Sequence, residues 1–219
     1  MPDPVPFFAI FALFAGFARP VLNPTMLDTA LKEWTAVCDL LAEGRCTLLL
    51  RKGGVHETTG PGRFRLEHDR FAFFPAWEHE NLEWIKPALR PGRGPIEREP
   101  DAVIFRGWGE VAGIWPVPAR GALDALDELH PWLPPQLDMR FNYKPERPVY
   151  ALLVRAYRLA KPVVRPNHPA FAGCRSWVPL SGGADGRGPI DPAGSVPTLD
   201  DAAFGAVHER VSGQLAGDP

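Results

Sequence analysis

The sequence predicts an α+β fold: a mixed, mostly antiparallel and partly closed β-sheet or barrel with flanking helices. Three observations lead there. An apolar-striped segment, Leu27–Leu41, runs into a short continuous apolar segment, Cys46–Leu50. A second long apolar run lies at Val149–Leu159. Between and around them 26 prolines forbid long helices and divide the chain into short strands and loops.

The organising stretch is LKEWTAVCDLLAEGRCTLLLRKGG, Leu31 to Gly54. Leu27, Leu31, Trp34, Cys38 and Leu41 recur every three or four residues, the spacing of one helical face, with Thr25 as a capping residue. Gly44 fits the left-handed position that ends helices. Cys46–Leu50 has no polar alternation, as in a strand covered on both faces. Gly53-Gly54 supplies a turn. Phe71, Phe73 and Phe74 mark a strand ending at Pro75, and Ala102–Val111 another, whose two glycines allow a bulge. Leu123, Leu126 and Leu129 mark a short helix ending before Pro131. Val149–Leu159 and Ser176–Leu180 complete the sheet. Leu31, Trp34, Cys38, Leu41, Leu48, Leu50, Val103, Leu152 and Val154 are expected in one core.

In domain terms, residues 1–24 read as an N-terminal extension or a start assigned too early, with Met26 the alternative beginning. Residues 25–180 read as one α+β domain, 181–197 as a Gly/Pro-rich linker and 198–216 as a C-terminal helix capped by Thr198 or Asp200. The apolar run Val5–Phe17 is too short for a membrane span. Three cysteines without metal spacing indicate reduced core thiols and a cytoplasmic protein.

A formal net charge of −2 excludes a globally basic nucleic-acid binder, but the charge is uneven. Arg140–Arg175 holds eight basic residues and one acid, a net +7, whereas Glu97–Glu128 holds seven acids and three arginines, a net −4. Either a basic face forms, or the charges interleave and cancel.

Arg51-Lys52-Gly53-Gly54 places two cations beside backbone amides at a strand end, a nest able to hold an anion. It lacks the order of a nucleotide-binding phosphate loop. Asn142-Tyr143-Lys144 and Arg175-Ser176-Trp177, with Trp77 near His79 as a third such aromatic, put rings beside polar and cationic groups, the ingredients of a base-stacking pocket. With Arg155, which interrupts an apolar strand face, these residues form the expected ligand site. Arg155 requires a carboxylate, Glu33, Glu67 and Glu110 being the first candidates, or several carbonyl partners, the alternative being that its strand face meets water in a pocket. The enzyme alternative is a metal-dependent nuclease or hydrolase built on Glu57, Glu67, His68 and His79, and it requires three of these in one cleft. A structural or protein-interaction role is the third reading. No cofactor is expected.

LKEW at 31–34, LLLRKGG at 48–54, EHDRFAFFP at 67–75 and GCRSW at 173–177 resemble the bacterial domain of unknown function 1802 family, over Leu27 to Leu180. That family more often ends its third motif with Pro-Thr and His-Gln, where Ala76 and Glu80 stand here. Some members are joined to a restriction-endonuclease-type domain, which implies a defence- or DNA-related role. LLAEGRCTLLLRK and YALLVRAYRLAKPV followed by GCRSW also resemble, more loosely, the ASCH branch of the PUA-like barrels. That resemblance implies binding of RNA or modified bases. The functional expectation is therefore a module that binds DNA or RNA through one base or a short segment.

Overall fold

The computed structural model describes residues 26–52, 66–173, 175–181 and 188–216. A seven-stranded sheet is flanked by helices and curls into a half-barrel. In chain order the elements are β1 Thr29–Trp34, α1 Thr35–Ala42, β2 Leu48–Arg51, β3 Arg70–Ala76, β4 Ala102–Val117, α2 Pro134–Asn142, β5 Val149–Pro166, β6 Trp177–Pro179, β7 Val196–Pro197 and α3 Asp201–Leu215. The strand order is β2-β5-β4-β3-β1-β6, with β7 on β5. Every pairing is antiparallel except β1 with β3.

The helix expected over Leu27–Leu41 is corrected. Its first half is strand β1, and only Thr35–Ala42 is helical. β1 is paired along both edges, by β3 and β6, and a core packs on each of its faces, so that Ala30, Leu31, Lys32 and Glu33 are all buried. The helical spacing of Leu27, Leu31 and Trp34 coincides with a strand that has no solvent face to reveal its period of two. Thr25 lies outside the described residues.

Alternation along the central strands separates two cores. Leu31, Phe71 and Phe73 point to one, shared with α1, Leu48, Leu50, Leu152 and Val154; Ala30, Ala72 and Phe74 point to the other, shared with Phe105, Phe171 and Ile190. Val103, expected with the first group, belongs to the second. Trp34 is half-buried against the first, edge-on to Trp132 at 5.2 Å.

β4 and β5 are longer than their apolar runs, at 16 and 18 residues, because they form one ladder that continues past the core. Register shifts occur at Phe105/Gly107 and Val111/Gly113. At Gly107 an added Cβ would meet the Tyr157 carbonyl oxygen at 2.7 Å, so the approach of the two backbones requires glycine. α2 has no periodic signal in the sequence; its prolines at the first turn are compatible with a helix start.

Residues 188–197 lie against the sheet: Ile190 is buried and pairs with Leu27, and β7 pairs with β5. Asp200 caps α3 by accepting from the Ala203 amide at 2.8 Å, while the Thr198 hydroxyl donates to the Ala156 carbonyl. Among the described residues no helix is long and apolar enough to cross a membrane.

Candidate functional site

β2 and β1 are separated by three strands in the sheet, yet the curl brings their ends together. Arg51, the last residue of β2, donates through Nη2 to the Lys32 carbonyl at 2.7 Å and through Nη1 to Glu33 Oε2 at 3.3 Å. α2 packs alongside. Lys52 Nζ donates to the Arg140 and Phe141 carbonyls at 2.7 and 3.0 Å, placing a cation on the negative end of the helix. Arg140 returns a bond from Nη1 to the Leu50 carbonyl at 2.9 Å and lies 4.6 Å over the Trp132 ring. Burial lowers the pKa of the Arg140 guanidinium; Glu33 opposes the fall and Arg51 adds to it. Burial also lowers Lys52, with Glu146 opposing.

These contacts wall a cleft of about 260 Å³ lined by Arg51, Lys52, Gln136, Met139, Arg140, Tyr143 and Ser176. Gln136, one of its lining residues, is 2% exposed, and its side-chain oxygen has no hydrogen-bond partner among the described residues. A buried amide oxygen without a donor is costly, so a ligand donor there is favourable. Tyr143 is 57% exposed at the rim, with Lys144 Nζ 5.1 Å from its ring centre.

Of the residues singled out in the sequence, Arg51, Lys52, Tyr143 and Ser176 line this cleft. Asn142 and Lys144 are exposed beside Tyr143, and Arg175 is exposed next to Ser176. Gly53, Gly54 and Glu57 lie outside the described residues. Two expectations are corrected. Trp177 is 9% exposed, packed edge-on against Phe71 at 5.4 Å and His68 at 5.2 Å, so its indole is core and not an open stacking platform. Arg155 pairs with Asp201 of α3 and lies over Phe204, so its carboxylate is none of Glu33, Glu67 and Glu110, and it stands outside the cleft. Gln136 and Arg140 were missed. Arg140 belonged to the basic run, whereas a lone glutamine carries no signal.

The basic run does not form one face. Arg140 is tucked beneath the cleft, Arg155 is tied to α3, and Arg165 lies opposite Val103 near the far end of the ladder. The acidic run is met by neighbours, including Glu110 with Arg70, Asp127 with Lys86 and Glu128 with Arg210.

Nor are the described members of the Glu/His set, Glu67, His68 and His79, gathered together. Glu67 and His68 precede β3 and His79 follows it, so a seven-residue strand, about 20 Å long, separates them. Among the described residues no group of three His, Cys, Asp or Glu is placed to hold a metal. Cys38 and Cys46 are buried free thiols. Burial, then Glu33 and Asp39, raise Cys38 well above its usual pKa, and burial raises Cys46 to about 12. Neither is an activated nucleophile.

A second cavity lies on the opposite face of β1. Lys32 and Glu33 alternate across the strand, so Glu33 serves the cleft while Lys32 lines the cavity with Asp39, Phe74, Trp77, Arg93 and Phe171. Burial raises the Asp39 carboxyl above its usual value, with Arg106 and Arg93 opposing.

No curated protein matches this chain. Among solved structures it is similar to a mutant of the ZmASCH protein from Zymomonas mobilis, at 14% identity and a TM-score of 0.36, over 64% of this chain and 75% of that one. Residues 30–210 match the profile of the domain of unknown function DUF1802, reaching through β7 into α3, and the chain belongs to that family.

Proposed function

We propose that the protein is a nucleic-acid-binding module that takes one unstacked nucleotide of a DNA or RNA strand into the cleft between β2 and α2. The observation that carries this is Gln136, a buried amide with an unpartnered oxygen, in a cleft walled by Arg51, Lys52 and Arg140. A base-edge donor satisfies the amide oxygen. Arg51, Lys52 and Arg140 bring positive charge to the cleft, offset in part by Glu33 and Glu146, and favour a phosphate. The exposed Tyr143 ring supplies the stacking face in place of Trp177, worth about 1–3 kcal/mol per base. The same edge contacts suit a modified base, and the family resemblance adds a restriction- or defence-linked setting to the proposal.

The test is titration of labelled single- and double-stranded DNA and RNA, with and without modified bases, at low salt. Single strands are expected to bind with a Kd on the order of 10 µM and a shallow salt slope, about −0.7 per phosphate contacted. Absence of binding below the high-micromolar range for every probe overturns the reading.

A further inference from the structure

The cavity across β1 from the cleft has its own chemistry. Its inner chamber measures about 250 Å³, just below the roughly 300–1,000 Å³ usual for drug-sized ligands, and therefore suits one or two fused rings. Phe74, Phe171, Trp77, Ile96 and Val103 supply its apolar surface, beside the cations Lys32, Arg93 and Arg106 and the carboxylates Asp39, Glu78 and Glu99. Each lining cation is already answered by a carboxylate. Lys32 is 3.4 Å from Glu78, Arg106 is 3.3 Å from Asp39, and Arg93 grips Glu80 at 2.8 Å. An anion entering this chamber finds no uncompensated positive charge.

The chamber opens into an outer basin of about 440 Å³, with which it shares Glu99, Pro100, Asn167 and Ala172. The basin adds Asp101 and Pro169, and no basic side chain is among its described lining residues. Glu99 and Asp101 are both exposed there. An apolar chamber without spare positive charge thus leads to a mouth that carries two carboxylates.

We propose that this cavity is a second ligand site, separate from the nucleic-acid cleft, for a small aromatic or heteroaromatic molecule bearing a cationic amine. The ring system enters between Phe74, Trp77 and Phe171, and the ammonium group remains at the mouth beside Glu99 and Asp101. Ring burial supplies most of the affinity, and the two carboxylates select the charge. The site does not depend on the function proposed for the cleft, because it uses the other face of β1.

The experiment compares three probes that share one ring system: tryptamine, indole and indole-3-acetate, each titrated against the full chain by ligand-observed NMR. Tryptamine is expected to bind about five-fold more tightly than indole-3-acetate at low salt, with indole between them. Asp101→Asn is expected to narrow that ratio, and added salt to narrow it further. Ile96→Trp fills the chamber from an irregular segment outside the sheet, and is expected to abolish binding of all three while leaving oligonucleotide titration at the cleft unchanged. The inference is overturned if tryptamine binds no better than indole-3-acetate, if none of the probes binds at millimolar concentration, or if Ile96→Trp leaves their binding intact. Oligonucleotide binding with no response to these probes removes this site and leaves the cleft; the converse removes the cleft and leaves this site.

Discussion

Arg51 Nη1 stands 3.3 Å from Glu33 Oε2, joining the ends of two strands that have three others between them in the sheet order. The Glu33 side chain is 7% exposed and that of Arg51 15%, so the pair is largely removed from water. Removing one member of such a pair leaves a buried charge uncompensated, whereas replacing both by neutral groups is much milder. Arg51→Met is expected to lower stability by about 3 kcal/mol in urea denaturation. The double variant Arg51→Met/Glu33→Gln is expected to recover more than half of that loss. Equal losses in the single and double variants would show that the pair does not hold the curl.

Glu80 is a second long-range fastening. α1 has no capping side chain of its own, and Glu80 Oε1 accepts from the Ala36 amide at 2.8 Å in its first turn. The same carboxylate, 1% exposed, receives both terminal nitrogens of Arg93 at 2.8 and 2.9 Å. Glu80→Ala removes the cap and strands Arg93, with an expected cost of about 2–3 kcal/mol. Glu80→Gln keeps an acceptor for the amide and is expected to cost about 1 kcal/mol. Thermal melts of the two variants, analysed with the wild type, give the ordering.

Glu80 also marks where the sequence stops being informative. The strands at 48–51, 70–76 and 149–159 were legible because they are compact apolar runs bounded by charge, glycine or proline. The α1 boundary was not, since what starts the helix at Thr35 is a carboxylate 44 residues downstream of Ala36. Arg155 shows the same division. Its position on an apolar strand calls for a partner to its charge, but physics local to the strand cannot select Asp201, 46 residues away on another element. In the site, charge at Arg51 and Lys52 and the aromatic at Tyr143 were readable from residue type alone. Gln136 became informative only once its burial was known. Trp177 reversed its meaning, because β6 pairs with β1 and turns the indole onto Phe71.

His130 makes stability depend on pH. It is fully buried, its Nδ1 accepts from the Trp132 amide at 3.3 Å, and burial lowers its pKa to about 4, with Lys86 adding to the fall. An unfolded histidine has a pKa near 6.5, so below that pH the unfolded chain takes up a proton that the folded chain refuses. Stability from this group is therefore full above about pH 6.5 and falls as the pH drops towards 4, by on the order of 3 kcal/mol in total. His130→Asn retains an acceptor for the Trp132 amide without titrating. Denaturation midpoints between pH 7 and pH 4.5 are expected to fall less steeply in that variant than in the wild type. Parallel pH profiles would show that the acid sensitivity lies elsewhere.

Tyr143 and Trp177 separate binding from folding. Both are aromatics flanked by polar or cationic neighbours in the sequence, but Tyr143 is 57% exposed at the cleft rim and Trp177 is 9% exposed against Phe71. Trp177→Ala empties part of the core shared by β1, β3 and β6, with an expected stability loss of about 3–5 kcal/mol. Tyr143→Ala removes a surface ring at the end of α2 and is expected to change stability by less than about 0.5 kcal/mol. For single-stranded oligonucleotides the order reverses. Tyr143→Ala is expected to weaken binding at every salt concentration by about 1–3 kcal/mol, as loss of a stacked base does. Lys52→Ala, by contrast, is expected to reduce the slope of affinity against salt by removing the proposed phosphate contact. Gln136→Leu is expected to preserve the salt slope and to lose discrimination among bases, since in the proposed complex the amide contacts a base edge and not the backbone. If Tyr143→Ala binds oligonucleotides as the wild type does, the ring is no stacking platform and the cleft binds phosphate alone.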